Sequence, residues 1–116
     1  GITGYRSVKI SNATVSGNGY PNNGAGVAGR KVVLRDSTVT GNSYRGVLIG
    51  NQKRRKGRLI DSTVTGNGIS TECGVTQICA DIASYRRPHL KNSVCETSAD
   101  LAAGLPATNW SVCSLD

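Results

Sequence analysis

The heptapeptide DSTVTGN stands at residues 36–42 and again, unchanged, at 61–67, and a close relative, NATVSGN, occupies 12–18. A phrase that returns at a regular interval constrains a fold more than any composition does. Each copy must make the same local structure, and neighbouring copies must pack alike. Anchored on its first polar residue, the repeat runs Asn12, Asp36, Asp61 and, in NSVCETS, Asn92, with steps of 24, 25 and 31 residues. Two residues before each anchor stand Ile10, Leu34, Leu59 and Leu90; three residues after stand Val15, Val39, Val64 and Cys95. Beyond the phrase a further short apolar stretch follows: Gly26-Val27-Ala28, then Gly46-Val47-Leu48-Ile49, then Ala80-Asp81-Ile82-Ala83.

Each repeat thus carries three short runs with strand-like alternation, parted by Gly/Asn turns, and none is long enough for a helix. Three strands in about 25 residues describe a triangular coil, whose strands pair in parallel with those of the next coil ~4.8 Å away. One apolar side chain per strand is expected to point inward. The expected fold is all-β: a right-handed parallel β-helix, a solenoid of about four coils over residues 1–98. Residues 99–116 form a small C-terminal cap or tail of the same domain, in which TSADLAAG (97–104) reads as a helix of one or two turns. With no Phe or Met and a single Trp, the interior must be built from Val, Leu, Ile and Ala.

The L-x-D-S-T-V-T-G-N … G-V-L-I turn resembles the generic repeat of the right-handed parallel β-helix proteins of the pectate-lyase-like superfamily. The tail ADIASYRRPHLKNSVCETS … NWSVCSLD is similar to the C-terminal end of secreted bacterial members. The resemblance implies the fold, and a fold does not carry an activity. At the other end, GIT aligns with the close of a preceding coil. The chain lacks a leader and an initiating Met, so it reads as a processed or trimmed piece. Repeat arrays need polar caps, so the first coil is expected to expose a strand edge and to form a homo-oligomer through it.

Four cysteines (Cys73, Cys79, Cys95 and Cys113) lie in the C-terminal half without a Cys-x-x-Cys pair, and His89 is the only histidine. This pattern favours two disulfides and an extracytoplasmic, secreted chain over a metal or redox site. Of three possible pairings, nearest neighbours are expected: Cys73–Cys79 and Cys95–Cys113. No apolar run approaches the ~18 residues of a membrane span. No metal or other cofactor is implied.

The repeat columns sort the polar residues. Asn18, Asn42 and Asn67 stack at one corner and read as a structural asparagine ladder. Arg35, Asp36 and Asp61 are the weak catalytic candidates: paired carboxylates can serve a glycoside hydrolase or a polysaccharide lyase. The same column holds Asn12 and Asn92, however, which points to a turn-forming role. The Thr38-x-Thr40 and Thr63-x-Thr65 ranks resemble an ice-binding array, but Thr is common on any solvated strand, and Val94 and Glu96 break the ranks in the fourth repeat.

The basic residues give the strongest signal. One column reads Arg6, Arg30, Arg55, Arg86 and the next Ser7, Lys31, Lys56, Arg87. On the following strand's outward positions come Lys9, Val33, Arg58, His89 and Ser11, Arg35, Ile60, Lys91. Eleven of the 14 Lys/Arg lie on this side, and seven acids in the whole chain cannot neutralise them. Stacked like charges ~5 Å apart cost on the order of 0.8 kcal/mol per pair in water. The expected function is therefore binding of an acidic polysaccharide or other polyanion on this face, steered by a net charge of +7. Nucleic acid fits less well, because stacking aromatics are sparse. Tyr5 and Tyr85, which share a column, are suited to sugar rings. A lyase or hydrolase fragment and a self-assembling scaffold without enzymatic activity are the alternatives.

Overall fold

The computed structural model describes residues 1–4, 6–19, 25–50 and 57–116. The first repeat contributes β2 (Ser7–Ser11), β3 (Thr14–Ser16) and β4 (Ala25–Gly29), preceded by the short β1 (Ile2–Thr3). The second contributes β5 (Lys31–Arg35), β6 (Thr38–Thr40) and β7 (Arg45–Ile49), and the third β8 (Arg58–Ile60), β9 (Thr63–Thr65) and β10 (Ala80–Ser84). The last holds β11 (His89–Lys91), β12 (Val94–Cys95) and β13 (Ser98–Asp100). Equivalent strands pair in parallel into three sheets, ordered β2-β5-β8-β11, β3-β6-β9-β12 and β1-β4-β7-β10-β13. The protein is thus all-β, built of parallel sheets of stacked strands, and compatible with a parallel β-helix.

The register is the one that the columns require. Ile10, Leu34, Leu59 and Leu90 are partners across the first sheet. Val15, Val39, Val64 and Cys95 are partners across the second, and Val27, Val47 and Ile82 across the third. These side chains form one core, with Leu90 half-buried at its end. Each buried Val, Leu or Ile contributes roughly 1.5–3 kcal/mol relative to exposure. The first sheet departs from one inward side chain per strand: in β2 and β5, Val8 and Val32 are buried beside Ile10 and Leu34, because five extended residues present two positions on the inner face.

Every letter of the repeated phrase has a structural task. Its first residue takes the left-handed conformation that Asn and Asp tolerate best, with φ of 54° at Asn12, 48° at Asp36 and Asp61, and 49° at Asn92. The serine follows as a ladder: Ser37 N–H donates to Ser62 Oγ at 3.2 Å, and Ser62 N–H donates to Ser93 Oγ at 3.0 Å. Valine enters the core, the threonines flank it, and Gly17, Gly41 and Gly66 turn the chain at φ of 66–69°.

The asparagine closes the corner. Asn18 donates through its backbone N–H and its Nδ2 to Asn42 Oδ1, at 3.0 and 2.8 Å; Asn42 does the same to Asn67 Oδ1, at 3.0 and 2.7 Å. The ladder needs room beside it, which the glycine of the following strand provides. A Cβ on Gly26 would stand 2.7 Å from Asn42 Nδ2, and one on Gly46 would stand 2.6 Å from Asn67 Nδ2. In the next strand that column holds Asp81, which supplies the last rung itself. Its Oδ1 accepts from Asn67 N–H and Nδ2 at 3.0 and 2.9 Å. Its Oδ2 accepts from the Glu96 and Thr97 backbone N–H groups, each at 3.0 Å. This carboxylate is 1% exposed.

The C-terminal end is closed by the tail. Both expected disulfides are present, Cys73–Cys79 and Cys95–Cys113. The second holds a segment whose Ser114 and Leu115 N–H groups donate to the Cys95 and Glu96 carbonyls. The helix expected over 97–104 is replaced by β13 and a single 3-10 turn, Leu101–Ala103, capped by the Asp100 side chain. Pairing of β13 with β10 satisfies backbone groups that a helix at this position would leave to itself. Asp116 anchors the tail: it accepts from Ser98 N–H at 2.7 Å and from the Ser98 hydroxyl, and from Val112 and Cys113 N–H. Burial pushes its carboxyl pKa up, but the hydrogen bonds from Ser98, Cys113 and Val112 outweigh that and hold it below the ordinary value of 3.8.

Two outcomes are expected. Asp81→Asn turns an NH₂ group toward the Glu96 and Thr97 donors and costs about 2–4 kcal/mol, whereas Asp36→Asn, at a position where Asn is at home, costs less than ~0.5 kcal/mol. Urea denaturation checks this, and equal losses would contradict it. A depressed folded-state pKa contributes stability that is present above the unfolded value and lost as pH falls through the folded one. Acid below pH 3.8 should therefore loosen the tail and alter Trp110 emission, because the Trp110 backbone N–H donates to the same Ser98 hydroxyl oxygen and its indole Nε1 to the adjoining Ala99 carbonyl. Asp116→Asn should abolish that acid transition; an unchanged transition in the variant would refute the assignment.

Candidate polyanion-binding face

Strand alternation sends Val8, Ile10, Val32, Leu34 and Leu59 into the core, so their neighbours must face outward. On the sheet β2-β5-β8-β11 the outward partners are Lys9, Val33, Arg58 and His89 in one column, and Ser11, Arg35, Ile60 and Lys91 in the other. Lys9, Arg35, Arg58, His89 and Lys91 are all exposed. Arg35, Arg58, Ile60, His89 and Lys91 line a shallow depression of about 260 Å³. This surface is exposed, concave and positively charged.

Of the flanking columns, that of Arg6 and Arg30 lies at the turn entering the sheet, and that of Ser7 and Lys31 begins β2 and β5. Arg30 N–H and Lys31 N–H both donate to the Arg6 carbonyl, at 2.9 and 3.0 Å, which places Arg6 and Arg30 on successive repeats. Lys31 pairs with Ser7. Arg86 and Arg87 are exposed just before β11, and Tyr85 beside them is 38% exposed. Arg55, Lys56 and Tyr5 lie outside the described residues, as do Lys53 and Arg54.

Arg45, one of the three cations left off this face by the sequence columns, has a different task. Its Nε donates to the Ile78 carbonyl at 2.7 Å and its Nη2 to Gln77 Oε1 at 3.3 Å, which fastens the Cys73–Cys79 loop. Burial lowers its pKa, partly offset by Tyr85 and Tyr44. Asp36 and Asp61 follow the ends of β5 and β8, where their left-handed backbone turns the chain; Asp61 Oδ1 accepts from Asn92 Nδ2 at 2.6 Å.

A second cleft, of about 290 Å³, lies between the disulfide loop and the tail, lined by Gly68, Gly74, Ile78, Leu105 and Pro106 among others. Of its polar side chains, Asn67 and Thr97 are engaged with Asp81 and Gln77 with Arg45, so it offers few groups to orient a ligand. Compared with known proteins, the chain matches no family model, no curated protein and no solved structure.

The pairing register keeps the charge arrangement that the sequence columns hold. In the two outward columns no cation stands directly above another. Lys9 is followed by Val33 and then Arg58, while Arg35 lies between Ser11 and Ile60. The nearest cations are therefore diagonal neighbours, roughly 8 Å apart for a two-residue rise and one strand spacing. Their repulsion in water falls to about 0.5 kcal/mol per pair.

Proposed function

We propose that the protein is a secreted binding module that holds an acidic polysaccharide against the sheet β2-β5-β8-β11. The observation that carries this reading is the depression lined by Arg35, Arg58, His89 and Lys91 on an otherwise regular strand face. Guanidinium groups pair with carboxylate or sulfate in bidentate fashion, and lysine adds point charge. The net charge of +7 steers a polyanion toward the protein. Exposed Tyr85 offers an apolar flank for a sugar ring.

The same proposal includes the finer fold: a right-handed parallel β-helix of about four coils, of the pectate-lyase-like kind. It is supported by the chain's passage through the three sheets in turn, repeat after repeat, and by the general right-handedness of parallel crossovers. Two disulfides without a free cysteine among the described residues support secretion.

Replacing Arg58 and Lys91 together with Ala is expected to weaken binding to uronate or sulfated polymers roughly tenfold at low salt. It should also flatten the salt dependence and leave the melting temperature unchanged. Thr40→Ala with Thr65→Ala, on the neighbouring sheet, should stay within about twofold by the same measure. Titration calorimetry at two ionic strengths checks both. Failure of the unmodified protein to bind any acidic glycan at low salt would leave the face as solvated surface and the protein as a scaffold.

A further inference from the structure

The outward cations of the first sheet alternate from column to column as the repeats advance. Within the two central columns, Lys9 stands in the first, Arg35 in the second, Arg58 in the first and Lys91 in the second, one cation from each repeat, and Lys31 adds a charge in a third column, opposite Ser7. The places opposite them are held by Ser11, Val33, Ile60 and His89. The row therefore runs across the strands, along the direction of stacking, as a zigzag. It advances one strand spacing of ~4.8 Å per charge and swings by a two-residue rise of roughly 6.6 Å between its edges.

From this zigzag we infer that the ligand is an unbranched anionic chain lying perpendicular to the strands, with successive charged groups on opposite edges. The inference rests on the polyanion reading above and specifies its ligand. A β-1,4-linked polyuronate has this form. Its diequatorial linkages make a flat ribbon in which each residue is flipped relative to the last, so that carboxylates alternate between the two edges. Its residue length is close to the ~4.8 Å strand spacing. The flat ring faces then lie over Val33 and Ile60, the two partly buried apolar residues between the charges. An α-1,4-linked polygalacturonate, whose diaxial linkages buckle the chain, does not keep its carboxylates in this register. Electrostatics favours the same geometry: an alternating ribbon meets each cation of the two central columns singly, whereas a chain with one charged edge meets only one column.

The test uses the intact chain and defined oligosaccharides of two to eight residues, β-1,4-linked mannuronate or glucuronate against α-1,4-linked galacturonate, at one low salt concentration. The unmodified protein should bind the β-1,4 ribbon at least fivefold more tightly at equal length, with affinity rising to a plateau near four residues. The double variant Val33→Arg with Arg35→Val keeps the net charge but moves one cation to the other column; it should lose that preference. Equal affinity for the two linkages in the unmodified protein would overturn the zigzag while leaving polyanion binding in place, and so would a variant that keeps the preference. Binding of neither polymer would remove both readings. The linkage comparison needs no variant, so a double variant that fails to fold leaves it decisive.

Discussion

The structure depends on the hydrogen bonding that runs along its corners. Parallel strands satisfy one another's backbone within each sheet, but the chain must leave one sheet and enter the next three times per repeat. Every such corner would leave buried N–H groups orphaned, at about 1–3 kcal/mol each. At the corner entering the first sheet, backbone bonds such as Arg30 N–H to the Arg6 carbonyl prevent this, and at the other two, side-chain ladders do. Asn18, Asn42 and Asn67 each accept or donate both backbone and side-chain bonds along the stack, and at another corner the Oγ atoms of Ser37, Ser62 and Ser93 accept from the backbone N–H groups of Ala13, Ser37 and Ser62. Because the bonds connect equivalent residues of adjacent repeats, they also fix the register, and with it every inward and outward column. Asp81 ends the asparagine ladder where the last repeat lacks a Gly-Asn corner, with a carboxylate whose extra acceptor capacity holds two backbone amides at once.

The columns were legible because repetition turns a sequence into an alignment with itself. The stacked Ile10, Leu34, Leu59 and Leu90, the asparagine corner, and the two disulfides all followed from spacing. The serine ladder was hidden within a conspicuous phrase, since a serine between two strands looks like any turn residue until its hydroxyl is seen to accept from the preceding repeat. Asp81 was hidden for the opposite reason: it sits inside an apolar stretch at a position elsewhere held by glycine, and only the three-dimensional register shows that Gly26, Gly46 and Asp81 share a column. The segment 97–104 has helical composition, yet the open edge of β10 recruits its first residues as a strand. Here tertiary pairing overrides local propensity.

The three outer faces divide the remaining work. The third sheet is covered toward its end: Ala80, Ala83 and Ala99 pack with Leu48, Ile78 and Leu101, so β10 is buried throughout. The second sheet carries half-buried threonines without charge. The first carries the exposed cations. None of its Arg35, Arg58 or Lys91 side chains takes part in the ladders or the core, so the charge of this face is set independently of the fold. The alternation of cations between columns lowers their mutual repulsion without removing the field they create together.

That separation of framework from charged face, and the proposal that the face binds, are tested most directly by following backbone amide resonances while a short acidic oligosaccharide is added. The account predicts shifts concentrated on β2, β5, β8 and β11, strongest at Arg35, Arg58, His89 and Lys91, with the corner amides of Asn42 and Asn67 unmoved. Shifts centred on the threonine sheet or on the cleft beside the Cys73–Cys79 loop would contradict it.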